Sequence, residues 1–380
     1  MATSAYTLDI DTAHPYQMHI GTFLLEQVGA ITQSVAPQAQ HALIITDSNV
    51  GPLFLAPVEQ GLKEAGLTVG VATFEAGEQS KNPRTYAELL ERAAEEQLTR
   101  DDVIIALGGG VVGDLAGFVA ATYMRGIGYI QVPTTLLAMV DSSVGGKTAI
   151  DLSAGKNLAG AFWQPLAVIA DAGCLGTLSD EQFADGCAEV IKHALIADAE
   201  LFAELEKTPL TLDLLKQDLA RVCWFIARNV DIKRAVVVQD EREAGIRKLL
   251  NFGHSIGHAL EAAEDYRLGH GTCVAIGMVA IASASVTAEL CPEELPERLA
   301  RLIKAHGLSL AFDAAPDKIF DEAMHDKKRS GSTIDLVVPR DIGAASLAPT
   351  PLDEFRRILE VGLACTQALS AEIDGEEDPC

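Results

Sequence analysis

The sequence is poor in basic residues relative to acidic ones. Among 380 residues, 29 are lysine or arginine and 54 are aspartate or glutamate, which gives a formal net charge of -25. A chain this acidic repels nucleic-acid phosphates and anionic lipid surfaces, so we predict neither a nucleic-acid nor a membrane partner. An anionic small-molecule substrate would need a local group of basic side chains.

Paired cysteines, a signal sequence and long apolar runs are also missing. The seven cysteines include no CxxC pair, and the N-terminus lacks the basic and then apolar pattern of a secretory signal. We find no stretch of 18 or more uncharged apolar residues that would predict a membrane span. These features predict a cytoplasmic protein with reduced thiols.

Core-forming residues are abundant, and their pattern changes along the chain. Apolar residues make up 48% of the sequence. A chain of 380 residues is longer than a single hydrophobic core usually supports, so we expect two domains. Short apolar runs such as 42–46 and 103–107 alternate with helical patterns, which is typical of parallel βαβ units. Beyond Leu178, apolar residues recur mainly at the spacing of α-helices. We predict an α/β domain with a parallel-sheet core at 1–178, an all-α domain at 179–370 and a mobile acidic tail at 371–380.

Three histidines lie within seventeen residues of one another. His254 and His258 are four residues apart in an apolar helical pattern, so both project from one buried face, and His270 follows twelve residues later. Buried imidazoles need partners, and this spacing predicts a metal site. A single HxxxH pair would also fit hydrogen-bonded core histidines.

A glycine-rich turn follows the apolar run that ends at Leu107. Residues 108–114 read GGGVVGD and lead into a helical pattern, the strand, turn and helix context that binds a dinucleotide pyrophosphate. The motif follows the third or fourth strand signal, whereas the usual Rossmann fingerprint follows the first. A tight turn without a ligand would use the same glycines.

These motifs belong to longer blocks that together resemble the 3-dehydroquinate synthase family of sugar-phosphate cyclases. The resemblance runs from about Thr46 to Lys328, through residues 108–126, 131–148, 155–157, 188–192, the three histidines and 326–328. It implies an N-terminal domain that binds NAD, a helical C-terminal domain that holds the metal and most of the substrate site, and a homodimer.

The resemblance implies conversion of 3-deoxy-D-arabino-heptulosonate 7-phosphate to 3-dehydroquinate and phosphate. The steps would be transient oxidation by NAD, phosphate elimination, re-reduction and intramolecular aldol cyclisation. The alternatives are another sugar-phosphate cyclase and a metal-dependent polyol dehydrogenase. Lys233, Arg247 and Asn251 suit a substrate that bears an acid group, which favours the synthase.

The resemblance also assigns roles to residues. The metal ligands, for Zn²⁺ or Co²⁺, would be Glu189, His254 and His270. The catalytic residues would be Glu189, Lys192, His258, Asp141 and Lys147. The substrate contacts would be Arg125, which reaches into a partner's site, and Lys147, Asn157, Lys233, Arg247, Asn251, His258, Lys327 and Lys328. The NAD contacts would be Asp47, Asn49, Glu78, Lys81, Gly110, Val111, Val112, Gly113, Asp114, Thr134, Thr135, Lys147, Lys156, Thr177 and Leu178.

One position departs from the family pattern. The family usually has glutamate two residues after the last histidine ligand, and this sequence has Thr272 there. Since a carboxylate beside a metal-bound histidine orients its ring, we predict weaker orientation of His270. A Thr272→Glu change should then raise the affinity for zinc.

Overall fold

The computed structural model describes residues 3–325, 329–330 and 333–376. The strands are β1 Thr3–Ile10, β2 Tyr16–Thr22, β3 His41–Asp47, β4 Thr68–Phe74, β5 Val103–Gly108, β6 Gly128–Pro133, β7 Lys147–Leu152, β8 Gly155–Phe162, β9 Ala167–Asp171, β10 Arg329–Ser330, β11 Thr333–Asp341 and β12 Ala344–Pro351. The α-helices are α1 Val28–Val35, α2 Gly51–Glu64, α3 Pro83–Glu95, α4 Gly110–Thr122, α5 Asp180–Ala197, α6 Ala199–Lys207, α7 Leu212–Gln217, α8 Leu219–Gln239, α9 His254–Ala263, α10 His270–Thr287, α11 Leu295–Ala305, α12 Pro316–His325 and α13 Leu352–Glu376.

The chain forms two compact units. The first contains Met1–Leu178 and Leu215–Arg242, and the second contains Ser179–Leu214 and Glu243–Cys380. Assignment of every residue after Leu178 to the second domain was therefore wrong for one segment. Helix α8, whose buried residues include Val222 and Phe225, lies in the first unit because it packs against β1 and β2.

A seven-stranded sheet forms the core of the first unit. Its strand order is β1-β2-β9-β6-β5-β3-β4, and every neighbouring pair is parallel except β1 with β2. Strands β5 and β9 are buried along their whole length, which explains why they read as unbroken apolar runs. The predicted parallel-sheet α/β domain is confirmed.

The strand order reverses between β3 and β5. From β3 the chain crosses to β4 on one side, and β5 then pairs with the other side of β3. In open parallel sheets such a reversal leaves a crevice at the carboxyl ends of the two strands, where ligands bind. This position explains why the glycine motif follows β5 rather than the first strand.

Helices α5, α9 and α10 form the centre of the second unit. Helix α10 is long and apolar enough to cross a membrane by length and composition, but 78% of it is buried within the protein, as in a core helix. It packs against α5, α9 and α13. The predicted helical second domain is confirmed.

A small antiparallel sheet adds to that helical unit, and the sequence analysis did not predict it. The strands β10, β11 and β12 pair in that order. Strand β11 has four consecutive buried residues, Leu336 to Pro339, so it lacks strict alternation, and β12 contains three alanines and two prolines. Neither pattern is typical of a strand.

The predicted mobile tail was wrong for residues 371–376. Helix α13 continues to Glu376, Ile373 is buried, and Asp374 forms an ion pair with Lys304. The apolar spacing of α13 therefore extends into the acidic segment and anchors it. Residues 377–380 lie outside the described part of the chain.

Candidate functional site

Helix α5 carries two buried charged side chains on one face. A capping box between Ser179 and Gln182 fixes its first turn. Glu189 and Lys192 are three residues apart and almost fully buried, and the Lys192 ammonium donates a hydrogen bond to Glu189 Oε2. In the low-dielectric interior of a protein, charged groups are tolerated when they are paired and hydrogen-bonded, as these two are.

Helix α9 places His254 and His258 on one face. Gly253 precedes the helix at φ 80°, a left-handed conformation that favours glycine. The His254 Nδ1 atom lies 3.1 Å from the Phe252 carbonyl oxygen. In the tautomer that donates this hydrogen bond, Nε2 keeps the lone pair that a metal ion requires.

Glu189 and the three histidines converge within the second unit. Glu189 Oε1 lies 3.5 Å from His254 Nε2 and 3.8 Å from His270 Nε2. The ligand atoms offered by His254, His258 and His270 all lie within 4.8 Å of one another. These atoms can approach one divalent cation with only small side-chain movements.

The electrostatic surroundings favour positive charge at this point. Burial alone would lower the pKa of His270, but hydrogen bonds and charge interactions with Glu189 and Glu261 outweigh it and raise the pKa to about 10. A carboxylate with neutral imidazoles is the donor set that zinc and cobalt accept. The residues present therefore fit the metal implied by the resemblance. His258 lies in the same cluster as the predicted ligands, so distance alone does not distinguish it from them.

Glycines bring α9 and α10 close enough for this convergence. A Cβ at Gly277 of α10 would lie 2.1 Å from the Gly253 carbonyl oxygen, and a Cβ at Gly257 of α9 would lie 3.0 Å from that of Cys273. The two backbones therefore touch. Any side chain at Gly277 would separate the helix that carries His254 from the helix that begins with His270.

We expect Gly277→Ala to weaken zinc binding as well as the fold. The added methyl group overlaps the α9 backbone and should cost about 1–3 kcal/mol of unfolding free energy. Gly362→Ala is a matched control, because a Cβ there would lie 2.3 Å from the Ala280 carbonyl oxygen of α10, where α13 packs. Denaturant unfolding should show losses in both variants, whereas zinc titration should show weaker binding only in Gly277→Ala. Equal zinc affinities would contradict this account of the helix contact.

Two predicted substrate residues lie just before α9. Arg247, in the short helical turn Ile246–Asn251, is only 1% exposed. The Asn251 amide donates a hydrogen bond of 2.7 Å to Glu243 Oε1. Lys327 and Lys328, the predicted closing residues, lie outside the described part of the chain.

Several of the predicted NAD contacts of the first unit lie near the strand-order reversal, at the ends of β3, β5 and β6. At the end of β3, Asp47 Oδ1 accepts hydrogen bonds of 2.9 Å from the backbone N–H groups of Asn49 and Val50. After β5, Gly109 precedes α4 in an extended conformation, and the first turn of α4 contains Gly110, Val111, Val112 and Gly113. Thr134 donates its N–H to the Gly108 carbonyl at 3.0 Å, so the turn after β6 is tied to the glycine turn. A helix N-terminus beside glycines fits a pyrophosphate group.

Lys81 joins several of the predicted residues. Its ammonium, in a side chain 5% exposed, lies 2.6 Å from Asp114 Oδ2, and it donates a 2.6 Å hydrogen bond to Asn157 Oδ1. Burial lowers the pKa of Lys81, but Asp114 and Glu78 outweigh it, so the net pKa is raised. Burial raises the pKa of Asp114 despite the opposing effect of Lys81. Asn157, predicted near the substrate phosphate, thus lies within this set of predicted NAD contacts.

The remaining predicted residues of the first unit fall into two groups. Lys233 is buried and donates hydrogen bonds of 2.6 Å to the Asp141 carbonyl and to its Oδ1 atom. The side chains that are exposed or partly exposed are Arg125, Thr135, Lys147, Lys156, Thr177 and Leu178. Arg125 has a φ of 69°. The structure thus joins Lys233 to Asp141 by direct bonds.

Sequence reasoning missed two carboxylates beside the histidines. Glu261 Oε2 lies 3.4 Å from His270 Nδ1, and Asp185 Oδ1 accepts hydrogen bonds from the N–H groups of Gly271 and Thr272 at 2.6 and 3.3 Å. Glu261 is three residues after His258 on the same face of α9, a spacing visible in the sequence. The role of Asp185 depends on where α10 begins relative to α5, which spacing does not reveal.

Family models match sequence in both units of the chain. A model of the family described as 3-dehydroquinate synthase N-terminal matches residues 71–185, and one described as 3-dehydroquinate synthase C-terminal matches residues 186–329. The chain is 42% identical to the 3-dehydroquinate synthase of Enterococcus faecalis over 348 residues, which are 91% of this chain and 96% of the relative. It is 43% identical to that of Symbiobacterium thermophilum, over 88% of this chain and 94% of the relative.

Solved structures with the same fold include two related synthases. One is 2-deoxy-scyllo-inosose synthase complexed with carbaglucose-6-phosphate, NAD+ and Co2+, with a TM-score of 0.83, 27% identity and coverage of 93% of this chain and 99% of the other. Another is 2-epi-5-epi-valiolone synthase from Streptomyces hygroscopicus with NAD+ and Zn2+ bound, with a TM-score of 0.83, 26% identity and coverage of 93% and 97%. Glycerol dehydrogenase from Schizosaccharomyces pombe, at 16% identity and a TM-score of 0.57, shares the fold over 92% of this chain and 90% of that chain.

Proposed function

This chain belongs to the 3-dehydroquinate synthase family, and from that membership we propose that it converts 3-deoxy-D-arabino-heptulosonate 7-phosphate to 3-dehydroquinate and phosphate. It is an NAD- and metal-dependent carbon–oxygen lyase of the shikimate pathway. The observation that carries the proposal is the convergence of Glu189 with His254 and His270 inside the region matched by the family's C-terminal model. Glu189, His254 and His270 would hold the metal.

The first unit would hold NAD at the carboxyl ends of β3 and β5. The N–H groups at the start of α4 would receive the pyrophosphate, and Asp47 and Asn49 would contact the nucleoside end. The network of Glu78, Lys81 and Asp114 supports this assignment, because it fixes charged side chains at the same edge of the sheet. Thr134, Thr135, Lys147, Lys156, Thr177 and Leu178 complete the proposed contacts.

When bound, NAD⁺ and the metal supply a hydride acceptor and a Lewis acid for the transient oxidation. The protein side chains position the substrate and move protons. Lys192, held by Glu189, and Asp141 would contact ring hydroxyls. His258 would exchange a proton near the phosphate, because an imidazole ring can both donate and accept a proton.

Basic and amide side chains would hold the two anionic ends of the substrate. Arg247 and Lys233 would bind the carboxylate, where a guanidinium fork can form two parallel hydrogen bonds. Arg125, Lys147, Asn157 and Asn251 would lie at the phosphate end, and Lys327 or Lys328 would close over the substrate. This carboxylate-binding set favours the synthase over cyclases whose sugar phosphates lack an acid group.

A homodimer is part of the same proposal. Arg125 would reach into the partner's site from the turn after α4. The support is that Arg125 is exposed and adjoins Met124, a large apolar residue that is 43% exposed. A sedimentation measurement would report the assembly directly.

A coupled assay tests the proposed reaction. Purified protein is mixed with Zn²⁺, catalytic NAD⁺ and 3-deoxy-D-arabino-heptulosonate 7-phosphate, and phosphate, 3-dehydroquinate and absorbance at about 340 nm are followed together. We expect equal amounts of phosphate and 3-dehydroquinate without accumulation of NADH. Accumulation of NADH up to the amount of NAD⁺ added, without release of phosphate, would instead identify a polyol dehydrogenase, and turnover of only another sugar phosphate would identify a different cyclase.

A further inference from the structure

The Glu261 carboxylate faces the ring nitrogen of His270 that points away from Glu189. Glu261 Oε2 lies 3.4 Å from His270 Nδ1, whereas Glu189 Oε1 lies 3.8 Å from His270 Nε2. The two carboxylates therefore lie at opposite nitrogens of one imidazole. Glu261 is only 7% exposed, on the same face of α9 as His254 and His258.

Metal-bound histidines commonly donate the second ring N–H to a carboxylate, which fixes the tautomer and the ring orientation. We propose that Glu261 is the positioning residue that orients His270 for the metal. Its carboxylate accepts the Nδ1–H of His270 and leaves Nε2 as the atom that faces Glu189. The inference rests on the proposed metal site and adds a residue to which the family resemblance assigned no role.

This placement changes the expectation for Thr272. The backbone N–H of Thr272, together with that of Gly271, is already held by Asp185 Oδ1 at the start of α10. The Nδ1 side of His270 is already faced by Glu261. A carboxylate at position 272 is therefore not needed to orient the ring, and the weaker orientation predicted from the sequence does not follow.

Zinc affinity of the purified protein tests the proposal. We expect Glu261→Ala to weaken zinc binding about 10–100-fold, measured by competition with a chromophoric chelator. Glu261→Gln keeps the size of the side chain and should give a smaller loss in the same direction. In the cobalt-loaded protein, the visible absorption bands should shift in both variants, because the geometry around the ion changes.

Glu264→Gln is the matched control. Glu264 is also a buried glutamate near the end of α9, but its Oε1 atom accepts hydrogen bonds from the N–H groups of Asp313 and Ala314, at 2.8 and 2.6 Å. This variant should lose stability and keep the zinc affinity and cobalt spectrum of the unaltered protein. Equal losses of affinity at Glu261 and Glu264 would overturn the proposal, because they would indicate general destabilisation.

Thr272→Glu gives an independent readout. We expect the zinc affinity of this variant to stay within about threefold of that of the unaltered protein. Supplying an orienting carboxylate that had been missing would change the affinity by more than this. A tenfold gain would show that Glu261 does not already fill this role and would overturn the proposal. Unchanged zinc affinity in both Glu261 variants would also overturn the proposal.

The outcome also separates this inference from the proposed function. If the unaltered protein binds zinc, and His254→Ala abolishes binding while the Glu261 variants retain it, the metal site stands and the inference fails. If the unaltered protein does not bind zinc or cobalt, the proposed function fails, and the inference fails with it.

Discussion

Replacing Glu189 with alanine should abolish zinc binding and lower kcat/KM by about a thousandfold or more. A Lewis acid contributes several kcal/mol of transition-state stabilisation, and each 1.4 kcal/mol corresponds to about a factor of ten in rate. The change also leaves the ammonium of Lys192 buried without its carboxylate partner. We therefore expect a loss of about 3–5 kcal/mol in unfolding free energy in addition to the loss of the metal.

Glu189→Gln separates the two effects. The glutamine carbonyl can still accept a hydrogen bond from Lys192, so more of the fold should be retained, but a neutral amide is a much poorer metal ligand than a carboxylate. Glu181→Gln, at an exposed position of the same helix, is the control and should match the unaltered protein. Zinc titration, unfolding and turnover are measured on all three. Normal zinc affinity in Glu189→Gln would remove Glu189 from the ligand set.

The sequence predicted the histidine cluster because its geometry is local. His254 and His258 share a helical face by spacing alone, and Gly253 and Gly257 mark the close approach of another helix. Glu189 lies 65 residues before His254, on another helix, so no spacing rule could pair the two. Only the resemblance to a family supplied Glu189, and the structure then brought it to 3.5 Å from His254 Nε2.

The nucleotide motif illustrates a different limit. The glycine turn was recognisable from its neighbours in sequence, but its place after β5 was explained only by the strand order. The packing of α8 in the first unit was not predicted for the same reason, because apolar periodicity does not record which surface a helix covers. The small sheet of β10 to β12 was missed for a local reason, since neither β11 nor β12 has a sequence pattern typical of a strand.

Arg247→Ala should lower kcat/KM for the carboxylated substrate by about 10²–10³-fold. Arg247 is 1% exposed, and loss of one partner of a buried charged hydrogen-bonded contact costs about 2–5 kcal/mol. Arg247→Lys should recover only part of the loss, because an ammonium cannot form the two parallel hydrogen bonds of a guanidinium. Lys248→Ala is the neighbouring control. Lys248 forms a half-exposed ion pair of 2.7 Å with Asp335, worth at most about 1 kcal/mol.

Substrate selectivity makes this prediction specific to a carboxylate contact. Sedoheptulose 7-phosphate lacks the acid group, so its binding to the protein should be far less affected by Arg247→Ala than binding of 3-deoxy-D-arabino-heptulosonate 7-phosphate. Binding of both sugars is measured with the NAD- and zinc-loaded protein, alongside unfolding of each variant. If both sugars lose affinity equally while the fold is retained, Arg247 does not contact the carboxylate. The preference for an acid-bearing substrate would then have to come from another basic side chain, with Lys233 the first to replace.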